Sequence, residues 1–161
     1  MKLPCAPINN ITLAFDSFKG SLNSAEVADA FEEGLHTVLP HCVVRKVRIA
    51  DGGEGTLEAL IDSVGGKYET VIVNDPIGRP VHARYGIIEE GETAVIELAA
   101  ASGLTLLSHE ERNPMTTDTY GTGQLIAHAL HKGCRNILLC IGGSATNDAG
   151  VGLLRALGYR F

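Results

Sequence analysis

Residues 136–150 read N-I-L-L-C-I-G-G-S-A-T-N-D-A-G, an apolar strand signal running straight into a glycine-rich turn. Leu153, Leu154 and Leu157 then give the stripe of a helix. A strand, a tight turn and a helix in that order are the repeating joint of α/β proteins, so this stretch sets the fold class. Consecutive backbone N–H groups at such a joint form a concave positive surface suited to an anion. Gly142 and Gly143 remove the Cβ atoms that would hold a ligand away from that backbone, and Ser144 adds a hydroxyl beside it. Asn147 and Asp148 place an amide and a carboxylate at the rim, the first for a polar substrate and the second for Mg²⁺. The plainer reading of the same letters is a glycine turn with Asn147 or Asp148 as a helix cap.

Upstream, the same joint recurs. Ile11–Phe15 is a short strand candidate, and Asn23-Ser24-Ala25-Glu26 is a capping signal. Val27, Phe31, Leu35 and Val38 follow it as a helical stripe that stops before Pro40. Residues 43–49 return to strand character, and Leu57, Leu60, Ile61 and Val64 form the next helix face, closed by Gly65-Gly66. Lys67–Val73 is a third strand, so the first half reads β-α-β-α-β and predicts a largely parallel sheet. The pattern then changes. Residues 80–88 and 93–98 are strands separated by Glu89-Glu90-Gly91-Glu92, a hairpin more than a crossover. A helix around Leu125, Ile126, Ala129 and Leu130 precedes the 136–141 strand.

The expected architecture is therefore α/β, with a mainly parallel sheet in a Rossmann-like arrangement. An antiparallel excursion and the start of a second α/β domain interrupt it. Asn74-Asp75-Pro76-Ile77-Gly78-Arg79-Pro80 is the predicted boundary, giving domains at 1–75 and 76–161. Gly158–Phe161 reads as a strand just beginning. The 161 residues are thus expected to be the front part of a longer protein, with both domains completed elsewhere.

Composition narrows the function. A net charge of −6, from 13 basic and 19 acidic residues, argues against a broad nucleic-acid footprint. Cys5, Cys42, Cys134 and Cys140 contain no close metal pair and no disulfide pattern, which fits a reducing cytoplasm, with Cys42 and Cys140 as core residues. Met1–Asn10 lacks the apolar core of a signal peptide, and no later run is long enough for a bilayer. Oligomerisation is left open.

Two further polar turns follow strand signals. In Asp16-Ser17-Phe18-Lys19-Gly20-Ser21, Lys19 could balance a phosphate or carboxylate while Ser17 and Ser21 donate hydrogen bonds. Asp16 could bind a cation, hold Lys19 or only bond local amides. In Asp51-Gly52-Gly53-Glu54-Gly55-Thr56, Asp51 and Glu54 could bind Mg²⁺ or orient an alcohol, against the simpler reading of an acidic helix start. Carboxyl ends of strands in an open parallel sheet converge on one crevice, so three modest motifs gain weight together. Arg79 could clamp a carboxylate through two parallel hydrogen bonds or serve as a structural salt bridge. In the 113–123 segment, Thr119, Gly121 and Thr122 could enclose phosphate or form a loop and cap. A Walker A loop, the three-glycine dinucleotide fingerprint and G-x-S-x-G are all absent, and the six histidines show no zinc spacing.

Six ordered signatures then resemble the bacterial-type glycerate kinase family, which includes glycerate 2-kinases. They are D-S-F-K-G-S-L from Asp16, A-D-G-G-E-G-T from Ala50, N-D-P-I-G-R-P from Asn74, E-L-A-A-A-S-G-L from Glu97, N-P-M-T-T-D-T-Y-G-T-G from Asn113 and I-G-G-S-A-T-N-D-A-G from Ile141. The chain departs from that pattern at Ala149 and Val151, where a glycine and an alanine are expected, and at Gln124, where a glutamate is expected. The resemblance covers only the amino-terminal part of such proteins. It implies ATP-dependent phosphorylation of D-glycerate to 2-phosphoglycerate, with ATP as co-substrate and Mg²⁺ as metal. Under that reading Lys19 stabilises charge and Arg79 holds the substrate carboxylate. Asp51, Glu54 and Asp148 compete for metal or alcohol. Asn147, Gly52, Gly53 and Gly142–Gly143 position substrate or phosphate. The alternatives are a phosphatase or other anion-processing hydrolase, and a non-catalytic anion-binding module.

Overall fold

Asn23 starts the first helix as its capping signal predicts. Its side-chain oxygen accepts from the amides of Ala25 and Glu26, at 3.0 Å each, and the Glu26 carboxylate accepts from the Asn23 amide at 2.8 Å. The computed structural model, which describes residues 8–18, 21–49 and 51–161, has two compact units, Met1–Ala50 and Asp51–Phe161.

In the first unit, helix α1 (Ser24–Val38) carries the chain from strand β1 (Asn10–Phe15) to strand β2 (Val43–Arg48). The strands pair in parallel, Asn10 beside Val43 and Phe15 beside Arg48, as the first β-α-β reading requires. Leu13, Ala28 and Cys42 are buried here, and the rings of Phe15 and Phe31 lie 5.3 Å apart, centroid to centroid.

The second unit holds a four-stranded sheet in the order β3 (Lys67–Asn74), β4 (Pro80–Ile88), β5 (Thr93–Glu97), β6 (Asn136–Cys140). β3–β4 and β4–β5 are antiparallel, and β5–β6 is parallel. The sheet is thus mixed, and the third strand does not extend the parallel pair of the first unit. Lys67 to Asn74 pairs along its whole length with β4 because the 75–79 turn folds it back. The buried Asp75 carboxylate accepts there from the amides of Ile77 and Arg79, 2.9 Å each. The expected boundary at residues 75 and 76 therefore falls inside a hairpin, and the units divide at residues 50 and 51. The Glu89–Gly91 hairpin is a short 3-10 turn with all three residues at positive φ.

Alternation along β5 explains how helices cover the sheet. Ala94 and Ile96 join one core with Val73, Ala83, Tyr85 and Ile87 under helix α4 (Tyr120–His131). Val95 joins a second core with Leu57 and Ile61 of helix α2 (Thr56–Val64), Ile88 and Cys140. Successive strand residues point to opposite faces, so α2 and α4 lie on opposite sides. A sheet with helices on both faces makes this an α/β layer arrangement, as expected. Two short helices complete the unit, α3 (Ala99–Ser102) and α5 (Val151–Ala156). The strand expected at Gly158–Phe161 does not form. The Tyr159 amide instead closes the end of α5 by donating to Leu154 O at 3.1 Å.

Candidate functional site

Two of the three polar turns meet in the second unit. The Gly142 amide donates to the Gly52 carbonyl at 2.8 Å, joining the loop after β6 to the turn before α2. A Cβ on Gly142 would lie 2.6 Å from the Gly53 Cα, so only glycine permits this approach. Within the first of these turns, Asp51 accepts from the Gly53 amide at 2.8 Å, and Thr56 Oγ1 accepts from the Gly52 amide at 3.1 Å. Asp51 and Glu54 are exposed, and Thr105 Oγ1 donates to Glu54 at 3.3 Å.

The 141–150 loop is pinned on its other side. Leu104 N donates to Gly143 O at 3.0 Å, and Ala145 N to Ser102 O at 2.9 Å. Ser144 Oγ accepts from the Thr146 amide at 3.0 Å and lies 2.8 Å from Thr146 Oγ1, so its hydroxyl shapes the loop from within. Gly143 and Asn147 are exposed along this rim.

Asp148 has a different place. Its Oδ2 accepts from Thr119 N at 3.0 Å, Thr119 Oγ1 at 2.8 Å and Gly152 N at 2.9 Å, while Oδ1 accepts from Gly150 N at 3.1 Å. Burial opposes its ionisation, yet these donors hold the carboxyl below its usual range. The buried Thr119 hydroxyl also accepts from the Leu153 amide at 2.9 Å. Asp148 thus fastens the start of α5 to the start of α4. Ala149 beside it sits at φ +52°, the left-handed region in which the family's expected glycine rests at no cost.

The remaining candidates of the 113–123 segment are interior. Thr122 Oγ1 lies 2.7 Å from Ser102 Oγ, both fully buried. A Cβ on Gly121 would collide with the carbonyl of Asn74, and one on Gly123 with the carbonyl of Leu153. A Cβ on Gly152 would lie 2.8 Å from the Tyr120 amide. Helix α4 therefore begins at backbone distance from its neighbours. Gln124 Oε1 accepts from the Asn74 amide at 2.7 Å, a bond that an oxygen of the expected glutamate supplies equally well.

Arg79 is engaged in its own hairpin. Nε donates to Asp75 at 2.6 Å, Nη1 to Glu111 at 2.7 Å and Nη2 to Leu106 O at 3.2 Å. The structural salt bridge is thus the geometry found. Asp16 accepts from the Ser17 amide at 2.7 Å, and the Ser21 amide donates to Phe18 O at 2.8 Å, in the first unit. Lys19 and Gly20 lie outside the described residues.

Sequence reading assigned no role to Glu97. This half-buried residue ends β5, and its Oε1 accepts from the Leu57 amide at 2.9 Å, at the head of α2. Burial pushes the Glu97 carboxyl up, the charge of Glu58 adds to that, and the amides of Leu57, Thr56 and Gly55 oppose it. A period-two count from Val95 puts Glu97 on the α2 face, which is the signal that could have found it.

Known proteins bear on this geometry. Residues 11–161 match the glycerate kinase family. The chain is 49% identical over 150 residues to a glycerate kinase of Bacillus subtilis, covering 93% of this chain and 39% of that protein. It is likewise 49% identical over 150 residues to a glycerate 2-kinase of Escherichia coli K12, covering 93% and 39%. A crystal structure from Salmonella typhimurium LT2, bearing the provisional name glycerate kinase 2, superposes with a TM-score of 0.72 at 45% identity. It is matched over 94% of this chain and 40% of its own. The chain spans about two fifths of the length of these relatives.

Proposed function

This chain belongs to the glycerate kinase family, and from that premise we propose that it supplies part of the site for ATP-dependent phosphorylation of D-glycerate to 2-phosphoglycerate. The observation that carries the reading is the Gly142–Gly52 hydrogen bond. It brings two glycine-rich turns together at the carboxyl end of the β5–β6 pair, where α/β sheets bind ligands. Gly143 is exposed at this joint, with the exposed Asn147, Asp51 and Glu54 at the rim.

Phosphoryl transfer needs an aligned alcohol and compensation of the charge on the moving oxygens, with little covalent work by the protein. In this reading Gly52, Gly53 and Gly142, whose amides already donate to Thr56, Asp51 and Gly52, let phosphate approach the loops by lacking side chains, and the exposed Gly143 backbone contacts it. Asn147 orients a polar substrate, and Lys19, of the first signature, is the residue proposed to supply positive charge. Asp148 acts one step back by fixing the loop that carries Asn147.

Mg²⁺ commonly takes one or two carboxylates and completes its shell with phosphate oxygens and water. Asp51 and Glu54 suit that demand, being exposed acids on one turn. Asp148 suits it poorly, since four donors already crowd its oxygens. Among the described residues no group of three His, Cys, Asp or Glu is disposed to hold a metal. An ion at Asp51 and Glu54 would complete its shell with phosphate oxygens and water. Bound there, the ion would offset charge on the transferring phosphates. Among the described residues no helix is long and apolar enough to cross a membrane. We place the protein in the cytoplasm.

Phosphorus NMR on the intact protein with ATP, Mg²⁺ and D-glycerate tests the proposal. A new phosphomonoester resonance with the coupling pattern of 2-phosphoglycerate is the expected result. A folded, intact protein that leaves D-glycerate unmodified rejects it.

A further inference from the structure

We propose that Glu97 is the positioning residue that fixes the Asp51–Thr56 turn against the Gly142–Gly143 loop. Gly55, the cap residue before helix α2, sits at φ +89° and offers no side chain to the first amides, of which Thr56 N turns back to Gly53 O at 3.2 Å. Thr56 and Leu57, the first residues of the helix, are buried at 6% and 1% exposure, so water does not serve those amides. Glu97 reaches the head of the helix from another element, accepting from Leu57 N at 2.9 Å.

The same residue is tied to the second turn through its backbone. Glu97 pairs in register with Cys140, the last residue of β6, and the next amide, Leu98 N, donates to Cys140 O at 2.8 Å. The chain then runs through Ile141 to Gly142, whose amide returns to Gly52. Glu97, the head of α2, Gly52, Gly142 and Cys140 thus form a closed circuit of bonds. A carboxylate at one corner of the circuit sets the distance between two loops that carry the ligand-facing backbone. Glu97 touches no reacting group in this arrangement; it acts through Gly52 and Gly142.

The inference deepens the phosphotransfer reading, and its kinetic arm rests on that reading; its structural arm does not. The test uses the full-length protein and three variants, Glu97→Ala, Glu97→Gln and Glu97→Asp. Glutamine keeps an acceptor oxygen at the same reach, whereas aspartate is one methylene too short. Amide hydrogen exchange is followed at Leu57 and Gly142, beside steady-state kinetics with ATP and D-glycerate. The expected result is exchange about tenfold faster at both amides in Glu97→Ala and Glu97→Asp, with Glu97→Gln close to the parent. Turnover is expected to fall with the exchange change and to be rescued in the glutamine variant, while KM moves little. Faster exchange at Leu57 with Gly142 unchanged makes Glu97 a local helix cap and overturns the proposal. A kinetic loss that glutamine fails to rescue overturns it as well. Should Glu97→Ala not fold, the same two amides in Glu97→Asp decide between coupling and a local cap. A parent protein inert toward D-glycerate refutes the phosphotransfer reading, and the exchange results still decide the coupling of the two turns.

Discussion

Gly142 and Gly52 are bonded backbone to backbone at 2.8 Å, with no side chain between the two turns. Gly142→Ala would force a methyl to within 2.6 Å of the Gly53 Cα. Such overpacking typically costs about 1–3 kcal/mol, and here the strain is relieved by parting the turns. The expected outcome is a lower melting temperature together with a loss of phosphotransfer larger than the fall in folded protein. Calorimetry beside initial-rate assays separates the two.

Asp148→Asn should destabilise the protein by about 1–3 kcal/mol at neutral pH, because an amide NH₂ must face donors that now meet an oxygen. The pH dependence carries a sign. The folded carboxyl lies below its ordinary value of about 3.9, so its stabilising contribution is complete above that value and is lost as pH falls through the folded pKa. Parent and variant stabilities should therefore converge in acid and differ most near neutrality. Urea titrations at several pH values check this, and a constant gap across the range would count against the clamp role of Asp148.

Ala149→Gly should stabilise the chain by about 0.5–1 kcal/mol. An L-residue in the left-handed region is strained by roughly 1–2 kcal/mol, and the greater freedom of unfolded glycine offsets part of the gain. Thermal melts of the two proteins give the answer directly.

Lys19 and Arg79 should respond in opposite ways in the intact protein. Lys19→Ala is expected to leave the fold intact and cut kcat about a hundredfold to a thousandfold, the usual loss for one strong electrostatic contact to a developing charge. Arg79→Ala should lower the melting temperature, since Asp75 and Glu111 lose their partner, and leave KM for D-glycerate nearly unchanged. A large rise in that KM would restore Arg79 as a carboxylate clamp.

The start of α1 and the spans of β1 to β6 were legible in the sequence because their signals are local. Asn23 and Glu26 lie three residues apart, and the capping box they form needs no distant partner. The pairing of β3 was not legible. Its apolar letters suit a parallel crossover or a hairpin equally, and the buried bonds of Asp75 decide between them only once the turn is folded. At the candidate site, the two glycine turns could be found by their composition, yet their meeting depends on bonds between distant residues. The charged letters Arg79 and Asp148 suggested ligands. Asp75 is a local partner of Arg79, but Glu111 and, for Asp148, Thr119 lie roughly thirty residues away, a separation no spacing rule covers. Glu97 escaped notice for the reverse reason, as an acid at a strand end with its partner amide far upstream.

The start of α4, the start of α5 and the end of β3 touch through glycines at 121, 123 and 152. Soft side chains normally absorb small displacements between elements by changing rotamer, and at these three glycines the backbone offers none of its own. It behaves as a rigid coupling instead of a cushion. The 148–152 segment, which Asp148 anchors, is bonded directly to Thr119 at the head of α4. The mechanical consequence expected is a loop that moves together with the head of its helix.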